Sequence, residues 1–508
     1  MHLNTYERGE DMSNYREQFS KWALSLAPYE FASTLISWDA ATEAPPMSSA
    51  YRAKMIGALM STYSSRFYDP NQIPMLEGFL QLSDITPIEE ASCKEALRRI
   101  RKMQNVPMEL IVEGHQHTSL AQRVWEEARA KQDFSIFAPA LEKSIDLAKR
   151  TLEYRSHPSG QAYDILLDDY ELGMTMEKYD AFFGALRTNL VPFVRSVHSS
   201  AEPIDDSLLS AFFAKEGQEE YLEYLIDVMR YDRARGLMKT SAHPFTTLTS
   251  TDDVRFTVRY LENYMPASVF AGLHEMGHAL HFLQVNPVFV DYIMPFSMVL
   301  GESQSRFYEN FVGRSLPFWQ KHFAKLAEIF PEQLAQETPE SFWRIVNRSK
   351  PTMIRVEADE LTYPMHIMLR YEIERAIFED NLPVADLPEM WNAKMKEYLG
   401  VVPANDSEGI LQDSHWSGGA FGYFPTYALG TAYAAQFHST MKQQLDLDQL
   451  VLDDRMEVIN AWLAEHVHRE GMLLPTDVLV EQVTGAPFSP DFLVNYLKEK
   501  YAQVYRLG

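Results

Sequence analysis

The sequence predicts a mostly α-helical protein that folds as one large unit. Apolar residues recur at three- and four-residue steps along most of the 508-residue chain, the spacing that gives a helix one buried face. Strand-like alternation is confined to one short region between residues 237 and 258. We find no internal repeat, low-complexity tract or long Gly/Ser linker, so residues 1–508 are expected to form a single unit, either undivided or with two lobes around a cleft.

Fourteen stretches carry the helical pattern, with ends defined to within a few residues. They are 13–37, 48–66, 87–104, 107–131, 134–156, 176–199, 216–230, 264–285, 300–328, 360–378, 387–399, 428–444, 453–468 and 490–505. The strand-like segments are Leu237–Thr240, Thr246–Leu248 and Val254–Val258. They predict a small β-sheet just before helix 264–285, with an edge open to an extended peptide.

Composition narrows the expected partners and the compartment. The chain has 46 Lys and Arg residues against 71 Asp and Glu, a net charge of −25 that disfavours nucleic acid as a partner. The single cysteine, Cys93, excludes an intrachain disulfide and fits a reducing compartment. The first ten residues do not resemble a signal peptide, and no apolar run approaches the length of a membrane span. We therefore expect a soluble cytoplasmic protein with no membrane partner.

Predicted helix 264–285 contains two histidines four residues apart, His274 and His278, with Glu275 directly after the first. On a helix this spacing puts both imidazoles on one face, close enough to bind one zinc ion. Glu275 is then placed to take a proton from a water molecule on that ion. The pattern predicts a zinc-dependent hydrolytic site. The alternative is that two ordinary histidines and a solvated glutamate on a surface helix produce the same sequence pattern by chance.

A tetrahedral catalytic zinc needs a third protein ligand. Glu302 is the candidate, because it begins a predicted helix twenty-four residues after His278, and proline-containing breaks between them permit an antiparallel return. Glu309 is a competitor that lies seven residues deeper in the same helix. A third histidine six residues after His278 is absent, since that position is Gln284. His281 is expected to have a packing or supporting role.

Three further segments offer polar groups for chemistry. In the glycine-rich stretch 409–425, His415 and Tyr423 are natural donors to a carbonyl oxygen that gains negative charge, with core packing as the alternative for the aromatic rings. Arg355 suits a two-point grip on a substrate carboxylate, but an ion pair with Asp359 explains the same spacing. His243 could donate to a substrate carbonyl, although a structural turn is the simpler interpretation.

Taken in order, these segments resemble the M32 family of zinc carboxypeptidases, the thermostable or carboxypeptidase Taq-like type. The matching motifs cover most of the chain. They are Trp38-Asp39-Ala-Ala-Thr42-Glu-Ala-Pro45, His243-Pro-Phe, Asp253-x-Arg-x-Thr257, His274-Glu-x-x-His278, Glu302-Ser-Gln304, Ile354-Arg-x-x-Ala-Asp359 and Gly409-x-x-Gln-Asp-x-His-Trp416. So many ordered motifs make a chance match improbable.

The resemblance implies an almost wholly helical zinc-metallopeptidase fold with a deep substrate groove, often assembled as a homodimer. It also implies roles for individual residues. These are His274, His278 and Glu302 as metal ligands, Glu275 as general base, His415 and Tyr423 at the reaction centre, and Arg355 as a carboxylate-binding residue. His243 and Gln304, which lie within the matching motifs, are further candidates for substrate binding.

One position departs from the family pattern. The family usually has His before Glu-Ser-Gln, and this chain has Gly301. Metal binding is expected to survive, but the orientation of the ligands and the contacts to substrate are put in doubt. His281, where the family more often has an aromatic residue, is a candidate for partial compensation.

The expected function is a metallocarboxypeptidase that removes single residues from the C-terminus of peptides, with zinc as cofactor and cobalt as a substitute. Two other functions stay open. An endo-acting zinc oligopeptidase would share the metal motif without needing a carboxylate clamp. An inactive helical scaffold is the alternative suggested by Gly301, and the intact His-Glu-x-x-His pattern argues against it.

Overall fold

In the computed structural model, the described residues are 13–199, 203–295, 297–471 and 473–507. The first ten residues, on which the signal-peptide argument rests, lie outside these ranges. The described helices are α1 (Ser13–Thr42), α2 (Ser49–Phe67), α3 (Ile73–Phe79), α4 (Pro87–Met103), α5 (Met108–Lys131), α6 (Phe134–Leu152), α7 (Ala162–Tyr170), α8 (Met176–His198), α9 (Lys215–Val228), α10 (Pro266–Gln284), α11 (Met298–Arg306), α12 (Leu316–Ile329), α13 (Pro339–Val346), α14 (Tyr363–Phe378), α15 (Leu387–Leu399), α16 (Pro425–Gln444), α17 (Leu447–Leu452), α18 (Met456–Leu463), α19 (Thr476–Thr484) and α20 (Asp491–Tyr505). The strands are β1 (Gly236–Thr240), β2 (Thr246–Ser250) and β3 (Asp253–Val258). Among the described helices, none combines the length and the apolar character needed to cross a bilayer.

The predicted mostly helical fold with one small sheet is confirmed. The single predicted helix 300–328 is wrong, because it is divided into α11, a π-helical segment Phe307–Gly313, and α12. Ser315 accepts a hydrogen bond from the backbone N–H of Phe318 and so caps α12. Pro317 in the first turn lacks the N–H that a continuous helix would need. Five short helices were not predicted, because segments of six to nine residues depend on packing more than on periodicity. They are α3, α7, α13, α17 and α19.

Buried apolar side chains form two large clusters. Helices α1 to α4 pack around a core of their own that includes Phe19, Phe67, Phe79 and Leu97. The second and much larger core extends from α5 to the C-terminal helix α20. Ile293, from the segment between α10 and α11, packs into the first core and connects the two.

The sheet lies against the helix that carries the two predicted metal-binding histidines. Its strand order is β1-β3-β2, with β1 parallel and β2 antiparallel to β3. The central strand β3 turns Val254, Phe256 and Val258 into the core. Both β3 and the edge strand β2 pack on α10. The predicted sheet beside the metal helix is therefore present.

Two glycines allow three helices to meet closely. A Cβ atom on Gly277 of α10 would lie 2.7 Å from the backbone oxygen of Gln304 and from Cα of Ser305, both in α11. A Cβ atom on Gly430 of α16 would lie 2.9 Å from Cβ of Glu302. Only glycine permits this approach, so these positions fix α11 between α10 and α16.

Candidate active site

Three side chains from two neighbouring helices converge on one point. His274 and His278 belong to α10, and Glu302 belongs to α11. The Oε2 atom of Glu302 lies 3.7 Å from Nε2 of His274 and 3.6 Å from Nε2 of His278. One candidate ligand atom from each residue lies within 4.8 Å of the others. The structure thus brings together the three residues proposed from the sequence as metal ligands.

This donor set fits a divalent metal. Atoms bonded to one tetrahedral zinc ion at about 2.0–2.1 Å are roughly 3.3 Å apart, close to the separations between Glu302 and the two imidazoles. Two imidazole nitrogens and one carboxylate oxygen also form a known catalytic zinc set, which leaves a fourth position for water. The residues present therefore suit the metal that the sequence predicts.

Glu309 supports the first histidine and does not join the cluster. Its Oε2 atom lies 3.0 Å from Nδ1 of His274, so a hydrogen bond there leaves Nε2 directed at Glu302. Arg306 donates to Oε1 of Glu302 at 2.8 Å and to Oε2 of Glu309 at 3.1 Å. Arg314 donates to the other oxygen of Glu309 at 3.4 Å. These contacts orient both the imidazole and the carboxylate.

Charge in this cluster favours ionised side chains despite burial. Burial raises the pKa of Glu302, but Arg306 and the two histidines outweigh it and hold that pKa well below its ordinary value. Burial likewise raises the pKa of Glu309, and Arg306 with His274 brings it to about 2. Burial lowers the pKa of His274, whereas Glu302 and Glu309 raise it above its ordinary value. A bound metal cation would take the place of the proton that this negative field attracts to the imidazole.

Glu275, the predicted general base, is buried and held from the sheet. The hydroxyl of Thr246 on β2 lies 2.6 Å from its Oε2 atom and 3.0 Å from its backbone oxygen. Only 7% of Glu275 is exposed. The edge strand therefore fixes the glutamate that stands next in sequence to His274.

Arg355 is buried and pairs with Asp413, so the Arg355–Asp359 ion pair considered from the sequence is not formed. Its Nη2 atom lies 2.9 Å from Oδ1 of Asp413, and its Nε atom is 3.2 Å from the same oxygen. Its Nη1 atom donates to the Tyr363 hydroxyl at 2.8 Å. Asp359 instead accepts hydrogen bonds from the backbone N–H groups of Leu361 and Thr362 at the start of α14.

Tyr363 connects Arg355 to the metal cluster. The Arg306 guanidinium, which holds Glu302, lies 4.7 Å from the centre of the Tyr363 ring. The hydroxyl of the same tyrosine accepts the hydrogen bond from Arg355. Arg355 and the candidate metal ligands are therefore neighbours through one shared aromatic residue.

His415, Tyr423 and Tyr427 form an aromatic group beside Arg355. The rings of His415 and Tyr423 are centred 5.4 Å apart, and the Tyr427 hydroxyl lies 3.5 Å from Nε2 of His415. Burial raises the pKa of both tyrosines. The Tyr427 ring is centred 6.3 Å from the ring of Tyr363, which contacts Arg306. Burial lowers the pKa of His415 to about 4, so its imidazole is neutral at pH 7.

Gln304 and His243, two candidate substrate-binding residues, are placed very differently. Gln304 is fully buried, donates to the Ser303 hydroxyl and contacts Nε2 of His468 at 2.8 Å. These internal contacts weigh against a direct contact with substrate. His243 is exposed in the turn between β1 and β2.

His281 occupies the interior behind the metal helix. Its ring stacks on Phe282 and lies 4.9 Å from the ring of His468, and burial lowers its pKa to about 3. Gly277 opposes Gln304 and Ser305, and His281 follows Gly277 by one helical turn. Its surroundings fit the packing role that the sequence suggested.

Sequence reasoning missed several residues that shape this site. They are Thr246, Arg306, Tyr363, Asp413 and Tyr427. Arg306 stands four residues after Glu302 in α11, a spacing that puts the two side chains on one helical face. For Thr246 no local signal exists, because only the tertiary fold brings β2 to Glu275.

Comparisons with known sequences and with solved structures point to one protein family over most of the chain. The sequence pattern of the carboxypeptidase Taq (M32) metallopeptidase family matches residues 18–501. Carboxypeptidase 1 of Bacillus subtilis (strain 168) is 37% identical over 505 residues, covering 98% of this chain and 100% of the relative. Thermostable carboxypeptidase 1 of Thermus thermophilus is 36% identical over 486 residues, which cover 93% of this chain and 95% of the relative. An M32 carboxypeptidase from Deinococcus radiodurans R1 has a crystal structure with a TM-score of 0.93 at 32% identity, covering 97% and 100%.

These matches agree in sequence, fold and length. The family match leaves out only the ends of the chain, and both relatives are named carboxypeptidases. Nothing in the comparisons favours the endo-acting oligopeptidase or the inactive scaffold. The chain therefore belongs to the carboxypeptidase Taq (M32) family and is a metallocarboxypeptidase, a peptide hydrolase that depends on a divalent metal.

Proposed function

We propose that this metallocarboxypeptidase holds a zinc ion with His274, His278 and Glu302 and uses Glu275 as general base to release the C-terminal residue of a peptide. The observation that supports this most strongly is the convergence of three donor atoms within 4.8 Å of one another, two of them from α10, the helix that also carries Glu275. Cobalt is the expected substitute, because this donor set discriminates poorly between the two ions.

Glu275 would transfer the proton. When bound, the ion supplies Lewis acidity that lowers the pKa of water and favours negative charge on the peptide carbonyl oxygen. Glu275 takes a proton from the attacking water and passes it to the leaving amine. The Thr246 hydroxyl contacts Oε2 of Glu275, so the proposal assigns the proton to Oε1.

His415 and Tyr423 would stabilise the oxygen on which charge develops. Because the pKa of His415 is lowered to about 4, the neutral ring has one N–H to donate at pH 7. Burial raises the pKa of Tyr423 and so keeps its phenol protonated. Both groups are thus donors under working conditions, as a developing oxyanion requires.

Arg355 would bind the terminal carboxylate of the substrate. Asp413 fixes one edge of its guanidinium and the Tyr363 hydroxyl takes one hydrogen of Nη1, so N–H groups remain on Nη1 and Nη2. Although only 6% of Arg355 is exposed, fixing the planar group in advance lowers the entropic cost of gripping a carboxylate. Such a grip would place the last peptide bond at the metal.

The metal assignment is tested by removal and replacement. Chelation should abolish peptide hydrolysis, and one equivalent of zinc or cobalt should restore it. Glu302→Ala should lose metal and activity together, whereas Glu275→Gln should retain full zinc content and lose turnover by about 10⁴-fold or more. Full activity in metal-free enzyme, or zinc loss in Glu275→Gln, would contradict these assignments.

Peptides with a free C-terminal carboxylate are the proposed substrates, and a homodimer is the proposed assembly. The homodimer comes from the family resemblance and is tested by light scattering on the purified protein. A reducing, cytoplasmic location is proposed from the lone Cys93, whose burial raises its thiol pKa to about 12 and makes it unreactive.

A further inference from the structure

Glu374 is a buried carboxylate that the proposed chemistry does not use. It lies in α14 with no exposed surface. Its Oε1 atom accepts a hydrogen bond from the Trp416 indole at 2.7 Å. Its Oε2 atom accepts one from the backbone N–H of Gly422 at 2.6 Å and one from the Tyr163 hydroxyl at 2.7 Å. All three neighbours donate, which is the arrangement that an ionised carboxylate needs in the interior.

Two of these donors belong to the loop that carries the proposed oxyanion donors. Trp416 directly follows His415, and Gly422 directly precedes Tyr423. One carboxylate therefore holds the loop at two points, each one residue away from a group assigned to the reaction centre. A shift of Glu374 would move both groups together.

The backbone at Gly422 has little freedom to take another path. Its φ angle is +88°, in the region that favours glycine, and a Cβ atom there would lie 2.6 Å from the backbone oxygen of Leu166 in α7. The next residue, Tyr423, packs its ring at 87° against Tyr170 of the same helix, with centres 5.1 Å apart. Gly422 is thus confined between α7 and Glu374.

We propose that Glu374 is a positioning residue, which in its ionised form fixes the loop geometry that aims His415 and Tyr423 at the reacting carbonyl. The inference rests on the roles proposed for those two residues. It adds a buried acid on α14 that controls them without touching substrate.

The surroundings of Glu374 make its charge state sensitive to pH near neutrality. The groups that face it are Tyr163 and Tyr170 from α7, Arg370 from its own helix, and Trp416 and Gly422 from the loop. Burial raises the pKa of Glu374 to about 7, against the lowering effect of Trp416, Gly422, Tyr163 and Arg370. Protonation would remove the negative charge from the acceptor and turn one of its oxygens into a hydroxyl, so the hydrogen bonds from the three donors must weaken.

The indole N–H of Trp416 reports the charge of Glu374 directly. We would record it by NMR in the full-length, zinc-loaded chain labelled with ¹⁵N-tryptophan, repeat it without metal, and assign it with Trp416→Phe. The resonance should titrate with a midpoint near pH 7 in both preparations, and this titration should vanish in Glu374→Gln. A resonance that is static between pH 5.5 and 8.5, or one that titrates equally in Glu374→Gln, would overturn the proposal.

Kinetics provide a second test with a matched control. Tyr163→Phe removes one donor, which should raise the pKa of Glu374 and shift the acid limb of the kcat profile upward by roughly one pH unit. Tyr179→Phe removes a buried hydroxyl from the same aromatic group, and that hydroxyl has no hydrogen-bond partner among the described residues. The control should keep the wild-type profile. Equal profiles for Tyr163→Phe and wild type would overturn the proposal.

Turnover separates this inference from the proposed function. Glu374→Gln should lower kcat roughly tenfold to a hundredfold with unchanged zinc content, because small displacements of catalytic groups have effects of that size. Wild-type kcat in Tyr423→Phe and His415→Ala would overturn the roles of the loop itself. A loss in those two variants with wild-type kcat in Glu374→Gln would overturn the positioning role of Glu374 alone.

Discussion

The Nδ1 atom of His274 lies 3.0 Å from Oε2 of Glu309, on the side of the ring opposite the candidate metal position. The sequence makes Glu309 a competing candidate for the third ligand, whereas in the structure it supports His274. It holds the imidazole so that Nε2 points to Glu302, while Arg306 ties the two glutamates together. The affinity for metal should therefore depend on a residue that does not touch the ion.

Replacing Glu309 by Ala should weaken zinc binding by about tenfold to a hundredfold, because His274 loses the partner that orients it. Competition with a chromogenic chelator measures the affinity. Glu328→Ala, at an exposed glutamate of α12, is the control and should bind zinc as the wild type does. Wild-type affinity in Glu309→Ala would show that the hydrogen bond to His274 has no role in metal binding.

Replacing Thr246 by Val should lower kcat by about tenfold or more without changing zinc content. The substitution keeps the side-chain shape and removes the hydroxyl 2.6 Å from Oε2 of Glu275, and a hydrogen bond to a charged group contributes about 1.5–3 kcal/mol. Thr246→Ser retains the hydroxyl and should recover most of the activity. Steady-state kinetics distinguish the pair, and equal kcat for Val and Thr would contradict the account.

Gly277→Ala should destabilise the enzyme by about 1–3 kcal/mol. The new methyl group would clash with backbone atoms of α11, which cannot move away as a flexible side chain could. Gly57→Ala is the matched control, because a Cβ atom there meets nothing within 4 Å in the middle of α2. It should raise stability by up to about 1 kcal/mol through helix propensity. Thermal unfolding measures both changes, and a neutral Gly277→Ala would refute the close approach of α10 and α11.

Glu171 should make the enzyme less stable as the pH rises from about 4.5 to 7. Burial raises its pKa to about 7, against the lowering effect of the Ser297 hydroxyl. The folded state keeps this proton at pH values where the unfolded chain has lost it, so the stabilisation is complete below about 4.5 and lost by about 7. A shift of that size corresponds to about 3 kcal/mol.

Glu171→Gln isolates this effect from other titrating groups. The unfolding temperature of the variant should rise relative to that of the wild type between pH 4.5 and 7. Above pH 7 the difference between the two should stay constant. A difference that does not depend on pH would contradict the assigned pKa.

The sequence predicted the parts of the site that depend on local spacing. His274, Glu275 and His278 lie on a helix that the periodicity predicts. Glu302 could be predicted as their partner because only a short break separates that helix from the next one. The division of 300–328 was missed because apolar residues continue through Gly313, and Ser315 with Pro317 is a weak stop signal inside a strong periodic pattern.

Sequence patterns could not predict contacts between side chains that lie far apart in the sequence. The sequence spacing suggests an ion pair between Arg355 and Asp359, four residues away, but the partner of Arg355 is Asp413, fifty-eight residues away. Gln304 fell within a family motif, but motif membership does not say which way a helical side chain points, and this one points to His468. Glu374 carried no local signal, because its three donors come from α7 and from the loop before α16.

We propose that Glu275, beside a zinc ion, promotes cleavage of the last peptide bond of a substrate recognised by its free carboxylate. The most direct test is a mass-spectrometric time course of one peptide, made with a free and with an amidated C-terminus. Wild type and Glu275→Gln are compared at equal zinc content. We predict a ladder that loses one residue at a time, from the free-acid peptide and with the wild type only. Internal cuts in both peptides, or equal rates for the two enzymes, would contradict the claim.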